Sequence, residues 1–219
     1  MNTLLASQKT SPTIEQYYTY QEAYDFFNKN LFGGSLPRCI LTFSRKRNAS
    51  GFFINDQWSN SQGQHIHEIS LSPDSLEQPM DETMSTLVHE MTHLWQYEFG
   101  NPGSGNYHNR QWANKMKQLG LMPSSTGRPG GKEIGSPMSH YILEDGKFAR
   151  AFKIMPMEYL IPWNAHMPLQ IKPLKRKEHQ TNRNKNKYFC PNCSLNVWGK
   201  PNLDIRCEQC QLKLKVGNR

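Results

Sequence analysis

The sequence predicts an α+β domain, in which helices pack on a small β-sheet, followed by a separate and much smaller cysteine-containing module. Apolar residues recur at helical intervals near residues 13–31 and 81–99. Three short runs between them, 39–44, 50–54 and 65–71, have the composition of β-strands. At 219 residues the chain has room for one domain of ordinary size and an appendage. Four of its five cysteines lie close together near the end, where that appendage is expected.

The first helix is predicted from the helical spacing of large apolar residues, Tyr17, Tyr20, Tyr24, Phe27 and Leu31. Thr13 and Gln16 have the spacing of a capping box at its start. Gly33 and Gly34 follow its last apolar residue and should end it.

The three β-like runs are separated by polar, turn-forming stretches, of which 55–64 is the longest. They indicate a small sheet. His65 and His67 alternate along the third run, and the alternatives are another metal site or two strand histidines that face solvent, of which the second is expected. Cys39 stands apart from the other cysteines and is predicted to be a small buried apolar residue.

Two further helices are predicted after the strands. Asp81 is placed to cap a helix that runs to about residue 99, with Gly100 in the left-handed conformation that often follows a helix. A third helix, about 110–119, presents its apolar residues on one face and should end at Gly120.

The remainder of the main domain is predicted to be irregular. Residues 124–135 are rich in glycine, serine and proline and favour a loop. The Asp-Gly step at 145–146 is typical of a tight turn and predicts a β-hairpin of 141–143 with 148–152. Residues 172–187 are basic with hardly an apolar residue, which favours a flexible linker.

The second helix carries a His-Glu-x-x-His sequence. His89 and His93 point away from its apolar stripe and lie one turn apart, so both imidazoles can reach one zinc ion. Glu90 lies beside them and is suited to take a proton from a metal-bound water that attacks a carbonyl carbon. The alternative is a surface helix with two histidines four apart by chance.

A hydrolytic zinc needs a third protein ligand and one open position. His108 is the main candidate, because a Gly- and Asn-rich loop can turn the chain back toward the second helix. Glu98 lies too close along the same helix, and Glu133 lies in the predicted loop. An ordinary histidine at a helix start is the alternative for His108.

Other polar residues near the predicted site are Tyr107, His140 and Tyr141. Each is a candidate for stabilising the oxyanion of the reaction, and none is assigned a catalytic role.

These residues resemble the SprT-like family of zinc metalloproteases, which includes bacterial SprT and eukaryotic Spartan. The resemblance runs from the aromatic first helix to the C-terminal cysteines. It implies a zincin-like domain with three histidine ligands, which map to His89, His93 and His108, and a glutamate base, which maps to Glu90. It also implies that the substrates are proteins attached to DNA or covalently trapped on it. The family's usual His-Gly at the third ligand is His108-Asn109 in this sequence.

Two Cys-x-x-Cys pairs, Cys190 with Cys193 and Cys207 with Cys210, have the spacing of a tetrahedral zinc site. No position is left open, so this zinc is predicted to be structural. A module of roughly 30 residues cannot bury enough apolar surface to fold without such a metal. Disulfides are disfavoured by the reducing compartment expected for the chain and by strain between cysteines so close in sequence.

The positive charge lies in the tail. From residue 172 onward 12 Lys and Arg stand against 3 Asp and Glu, whereas residues 1–171 hold 14 against 15. Such asymmetry indicates a polyanionic partner. Aromatic and basic residues interleave there and are predicted to contact single-stranded nucleic acid, namely Tyr188, Trp198, Lys200 and Arg206. The alternative is that the aromatic residues form the core of the module.

Taken together, these patterns predict a zinc metallopeptidase domain (1–171), a basic linker (172–187) and a four-cysteine zinc ribbon (188–219). Two zinc ions are expected, one catalytic and one structural. The expected partners are a protein or peptide substrate and DNA in single-stranded form. No segment has the roughly 18 apolar residues of a membrane span, so a cytoplasmic location, including association with the nucleoid, is expected. The alternative is a nucleic-acid-binding or transcription-associated factor with a vestigial protease site; another is a metal-dependent hydrolase acting on something other than peptide.

Overall fold

The computed structural model describes residues 11–47, 49–164 and 186–217. The chain divides into two compact units, Met1–Met167 and Pro168–Arg219. In the parts of the chain described, no helix combines the length and the hydropathy needed to cross a membrane.

The first unit contains four α-helices and five strands among its described residues, together with short 3₁₀ helices at Pro73–Glu77 and Met157–Tyr159. In chain order they are α1 (Pro12–Phe32), β1 (Ile40–Phe43), β2 (Gly51–Ser59), β3 (His65–Leu71), α2 (Met80–Phe99), α3 (Arg110–Leu119), β4 (Leu121–Ser124), β5 (Ser139–Ile142) and α4 (Lys147–Lys153). Strands β1 and β3 are parallel, β2 is antiparallel to β3 on its other side, and β4 pairs with β5. The prediction of an α+β domain with helices on small sheets is therefore confirmed.

Helix α2 forms the centre of the core. Its apolar stripe, Met84, Leu87, Val88, Met91 and Leu94, is fully buried. Ile69 and Leu71 of β3 are also fully buried, because alternate residues of a strand point to the same face. Each such side chain contributes roughly 1.5–3 kcal/mol relative to exposure. The core thereby fixes the helix that carries the His-Glu-x-x-His sequence.

The start of α1 and the end of α2 differ from the prediction. Helix α1 begins at Pro12 after Ser11, so the predicted capping box of Thr13 and Gln16 is wrong. A proline at the first helical position lacks only an N–H that would be unpaired there in any case. The Gln16 side chain instead hydrogen-bonds the backbone of Trp163, with its amide donating to the carbonyl at 2.9 Å. Gly100 is extended, with φ −138°, rather than left-handed.

The predicted hairpin of 141–143 with 148–152 is also wrong. Strand β5 pairs with β4, and residues 148–152 lie in α4. The ring of Phe148 is fully buried and stacks on Phe27 of α1 at 5.5 Å. Burial of this helix face outweighs the local turn signal, which serves instead to start α4 after Gly146.

The second unit contains a three-stranded antiparallel sheet of β6 (Asn186–Phe189), β7 (Asn196–Gly199) and β10 (Lys215–Gly217), and a two-stranded pair, β8 (Arg206–Cys207) with β9 (Leu212–Lys213). Its small core consists of Tyr188, Cys190, Cys207 and Leu214. Most of the predicted linker lies outside the described residues, but its last two residues belong to β6.

Candidate metal centres

Helix α2 presents His89 and His93 to α3. The two rings are 5.2 Å apart, as expected for residues one helical turn apart. Trp112 of α3 lies against both rings, at 4.8 Å from His89 and 5.3 Å from His93. The histidines are off the main apolar stripe, as predicted, but α3 shields them from water.

His108 reaches the same place because the loop after α2 turns back on itself. Backbone hydrogen bonds in both directions join His108 to Gly135, at 2.9 and 3.0 Å. The His108 ring also contacts Trp112, with ring centroids 4.4 Å apart. The residue after His108, where the sequence departs from the family pattern, has a clear role: the Asn109 side chain caps α3 by accepting from the Trp112 N–H.

The buried side chain of Gln96 holds this loop to the end of α2. Its amide nitrogen lies 2.7 Å from the Asn109 side-chain oxygen, 3.2 Å from the Asn101 carbonyl and 3.1 Å from the Gln111 side-chain oxygen. A buried amide that serves several acceptors fixes the loop in one arrangement. Sequence analysis did not identify Gln96, since a glutamine on a helix has no distinctive local signal.

The three Nε2 atoms converge at the spacing that zinc requires. His108 Nε2 lies 3.0 Å from His93 Nε2 and 3.3 Å from His89 Nε2. Tetrahedral bonds of 2.0–2.1 Å would place two ligand nitrogens about 3.3 Å apart. These residues therefore fit a zinc ion without rearrangement of their elements.

Burial keeps the three imidazoles uncharged, which metal binding requires. Desolvation lowers the pKa of His93 to about 3, and the neighbouring His108 adds to the effect. The pKa of His89 and that of His108 are lowered for the same first reason. At neutral pH each ring therefore has a nitrogen lone pair free for a metal.

Glu90 is only 5% exposed and lies beside the start of β2. A methyl group on Gly51 would come within 3.1 Å of the Glu90 Cγ and 3.0 Å of the Ser70 carbonyl oxygen, so a side chain at this position would require its neighbours to shift. Burial raises the pKa of Glu90 to about 8, partly opposed by the positive charge of Lys46. A carboxyl group with such a pKa exchanges protons readily near neutral pH.

His140, to which sequence analysis assigned no role in the site, contacts His89, and Ser85 contacts His140 in turn. His140 of β5 places its Nδ1 atom 3.1 Å from His89 Nδ1, and its Nε2 atom 2.8 Å from the Ser85 hydroxyl. Tyr107 and Tyr141, considered together with His140, make no hydrogen bond or ring contact with the three histidines among the described residues. The pairing of β4 with β5, which brings His140 here, is not visible in the local sequence.

The other ionisable residues considered for metal binding have different partners. His67 is buried, with its Nε2 atom 3.0 Å from Glu98, so the prediction that it faces solvent is wrong; His65 is exposed as predicted. Glu133 pairs with Lys117 and Arg110. Glu98 and Glu133 are thus engaged away from the three histidines.

The second centre lies in the ribbon, where the ligand atoms of Cys190, Cys193, Cys207 and Cys210 all lie within 4.8 Å of one another. The sulfurs of Cys193 and Cys207 are 3.6 Å apart, far longer than a disulfide bond and close to the roughly 3.8 Å between thiolates on tetrahedral zinc. All four cysteines are free. The four-cysteine cluster is thus consistent with the predicted zinc ribbon.

Left-handed residues follow both Cys-x-x-Cys pairs, Ser194 at φ 58° and Gln211 at φ 56°. The first also donates its N–H to the Cys190 carbonyl at 3.0 Å. These turns bend the chain so that both sulfurs of a pair point to one centre.

Of the residues predicted to contact nucleic acid, Trp198 is 63% exposed, and Lys200 and Arg206 are exposed. Tyr188 is only 1% exposed and its hydroxyl donates to the Lys200 carbonyl at 2.6 Å. The prediction that Tyr188 stacks on a base is therefore wrong, because its ring is part of the small core of the module.

Comparison with known proteins gives two matches. The model of the SprT-like family matches residues 20–129, half of the chain, a span that holds all three clustered histidines and Glu90. The chain is also 46% identical over 41 residues to an uncharacterised protein in the mucB 3′ region of Salmonella typhimurium. That alignment covers 19% of this chain and 55% of the length of the relative. No solved structure matches the chain.

Proposed function

The chain belongs to the SprT-like family, and from this membership and the site geometry we propose that its first unit is a zinc-dependent metallopeptidase. The observation that carries the proposal is the convergence of three uncharged histidine nitrogens at tetrahedral spacing, with a buried carboxyl group next to them on the same helix. Three protein ligands leave a fourth position for water and substrate, as hydrolytic zinc sites require.

The residues have distinct roles in the proposed reaction. His89, His93 and His108 hold the zinc, which when bound polarises the scissile carbonyl and lowers the pKa of a water molecule. Glu90 takes the proton from the attacking water and passes it to the leaving amine. Its low exposure keeps competing water away from the carboxyl group.

Strand β2 is suited to bind the substrate chain. It lies at an edge of the sheet in the order β1-β3-β2, so one side of its backbone has no strand neighbour among the residues that the structure describes. Its first residue, Gly51, lies against Glu90. An extended peptide paired with β2 would therefore run past the catalytic carboxyl group, as in other cases of strand addition.

The second unit is proposed to bind single-stranded DNA and so to bring the first unit to DNA-bound proteins. Cross-strand pairing places Lys187 opposite Trp198, and Phe189 opposite Asn196 and Lys215, so these five side chains share one face of the three-stranded sheet. Aromatic rings among cations suit unpaired bases and phosphates. Trp198 keeps its predicted role as a ring that stacks on a base, and we assign the role predicted for Tyr188 to the partly exposed ring of Phe189.

Proteolysis of a DNA-bound protein, with and without added single-stranded DNA, tests the enzymatic proposal. We expect the wild type to cleave and Glu90→Gln to lose about 10²–10⁴ in rate, while zinc content and fold are unchanged. If both proteins bind DNA but neither cleaves any protein substrate, the chain is a nucleic-acid-binding factor with a vestigial protease site.

Fluorescence anisotropy with a labelled oligonucleotide tests the DNA proposal. Trp198→Ala should weaken binding by roughly 1–3 kcal/mol and leave the salt dependence nearly unchanged, whereas Leu195→Ala, at another exposed apolar residue, should have no effect. Lys200→Ala should weaken binding modestly and reduce the salt slope by about 0.7 per lost phosphate contact. Equal affinity of the full chain and a chain ending at residue 171 would exclude the tail as the DNA-binding element.

A further inference from the structure

The contacts of His140 point to a role that the three ligands and Glu90 do not cover. We infer that His140 and Ser85 fix the tautomer and the ring orientation of His89, and so act as positioning residues for the metal centre. The inference rests on the metal site of the proposed function, but not on peptidase activity.

The direction of each hydrogen bond follows from Ser85. This side chain is fully buried, and its hydroxyl donates to the Glu82 carbonyl oxygen at 2.8 Å. A hydroxyl has one proton, so towards His140 it can only accept. His140 must therefore carry its proton on Nε2, which lies 2.8 Å from the Ser85 oxygen.

The same reasoning fixes His89. With its proton on Nε2, a neutral His140 has a lone pair on Nδ1, which faces His89 Nδ1 at 3.1 Å. Two nitrogens at this distance attract only if one carries a proton, so His89 is protonated on Nδ1. Its Nε2 atom is then left with a lone pair, and this is the atom that faces His108 Nε2 at 3.3 Å. One serine hydroxyl thus sets which nitrogen of the ligand is available to zinc.

The backbone holds this chain of contacts firmly. Glu82, Ser85 and His89 are three and four residues apart on α2, so they lie on one helix face. His140 comes from β5, where it pairs with Pro123 of β4. The β4–β5 pair thereby limits rotation of the His89 ring.

The partner of His89 is a neutral ring, where many metal-binding histidines have a carboxylate. A carboxylate would add negative charge next to the ligands. His140 orients His89 without adding that charge, so more of the zinc's positive charge acts on the substrate.

Zinc affinity of the first centre tests the inference. The full chain carries ¹⁵N-labelled histidine, and NMR follows the histidine signals during titration with a chelator. These signals report on the histidine centre, so the zinc bound by the cysteines of the ribbon does not interfere. His140→Leu should raise the Kd for zinc by about 10–100-fold, the usual effect of losing such a partner. His140→Asn keeps an acceptor atom at the position of Nδ1 and should restore the Kd to within about threefold of the wild type. Tyr141→Leu, at the next residue of the same strand, should have no effect.

The ¹⁵N shifts give a second readout that general loosening would not produce. In the wild type we expect His89 protonated on Nδ1 and His140 on Nε2. Ser85→Ala should allow His140 to populate the other tautomer and should weaken zinc binding by less than His140→Leu. A wild-type His140 protonated on Nδ1, an unchanged Kd in His140→Leu, or equal loss in His140→Leu and His140→Asn would overturn the inference. None of these outcomes depends on whether the protein cleaves peptides.

Discussion

Removing the charge of Glu90 should stabilise the metal-free protein, and the effect should depend on pH. Glu90 is nearly inaccessible to water, and burial raises its pKa from 4.5 to about 8. Glutamine has the same shape as the protonated acid and cannot ionise. Glu90→Gln therefore mimics, at every pH, the neutral carboxyl group that the folded, metal-free protein prefers.

The sign and the size follow from the difference in pKa between the two states. Below about pH 4 the carboxyl group is protonated in both states, and the substitution changes little. As pH rises, the unfolded chain releases the proton first, so wild-type stability falls until the pH passes the folded pKa of about 8. The loss attributable to Glu90 is about 1 kcal/mol at pH 5.5, about 3 at pH 7 and about 4 at pH 8.

Urea denaturation of chelator-treated wild type and Glu90→Gln, followed by far-UV circular dichroism, measures this difference. The α-helices of the described residues all lie in the first unit, so the signal reports on that unit. The buried histidines also make the folded protein less stable as the pH falls below the ordinary pKa of histidine, because burial lowers their pKa values. This loss of stability is the same in both proteins. We expect the variant's advantage to grow by about 3 kcal/mol from pH 5.5 to pH 8. Parallel pH profiles would refute the assignment of a buried, proton-retaining carboxyl group at this position.

Three further predictions concern the four-cysteine centre, the loop that carries His108, and strand β2. Changing Cys190 and Cys193 to serine should reduce zinc from about two ions per chain to one and unfold the ribbon with no loss of helix signal; a wild-type chain that holds one zinc would contradict one of the two centres. Gln96→Leu removes the hydrogen bonds of Gln96 to Asn109, Asn101 and Gln111, at a loss of about 1–2 kcal/mol, and should weaken zinc binding at the histidines by roughly tenfold, as chelator competition would show. Unchanged affinity would mean that the other contacts of the loop are enough to hold His108. Gly51→Ala should displace Glu90 or β2 and reduce peptidase activity at normal zinc content, and full activity would place the substrate elsewhere.

The elements that the sequence predicted best are those with local signals that agree with each other. Helix α3 has a polar cap at Asn109, an apolar face and a left-handed Gly120, and its observed bounds are the predicted ones. The apolar stripe of helix α2 predicts its bounds to within a residue or two, although the helix begins after Pro79 rather than at an Asp81 cap, and Gly100 is extended. The His-Glu-x-x-His spacing and the four cysteines are likewise local patterns.

The sequence failed where distant contacts decided the structure. The Asp-Gly step at 145–146 indicates a hairpin only if the flanking residues prefer to pair, and here Phe148 is buried against α1 instead. His67 could not be recognised as buried, because Glu98, its partner at 3.0 Å, is 31 residues away. His140 reaches His89 through a strand pairing that spans a long loop. Tyr188 has the same local sequence whether it stacks on a base or fills a core.

The position of Trp112 means that metal affinity and folding stability cannot vary independently in this protein. Its buried ring is part of the hydrophobic core and at the same time the surface against which all three candidate ligands pack. A loosely packed core would let the three histidines move apart and lower their affinity for a metal. A metal bound by the histidines would in turn stabilise the packing of the core. By mass action, free zinc at about a thousand times its Kd adds roughly 4 kcal/mol to stability. Zinc supply would thus set both how active the protein is and how long the folded chain survives.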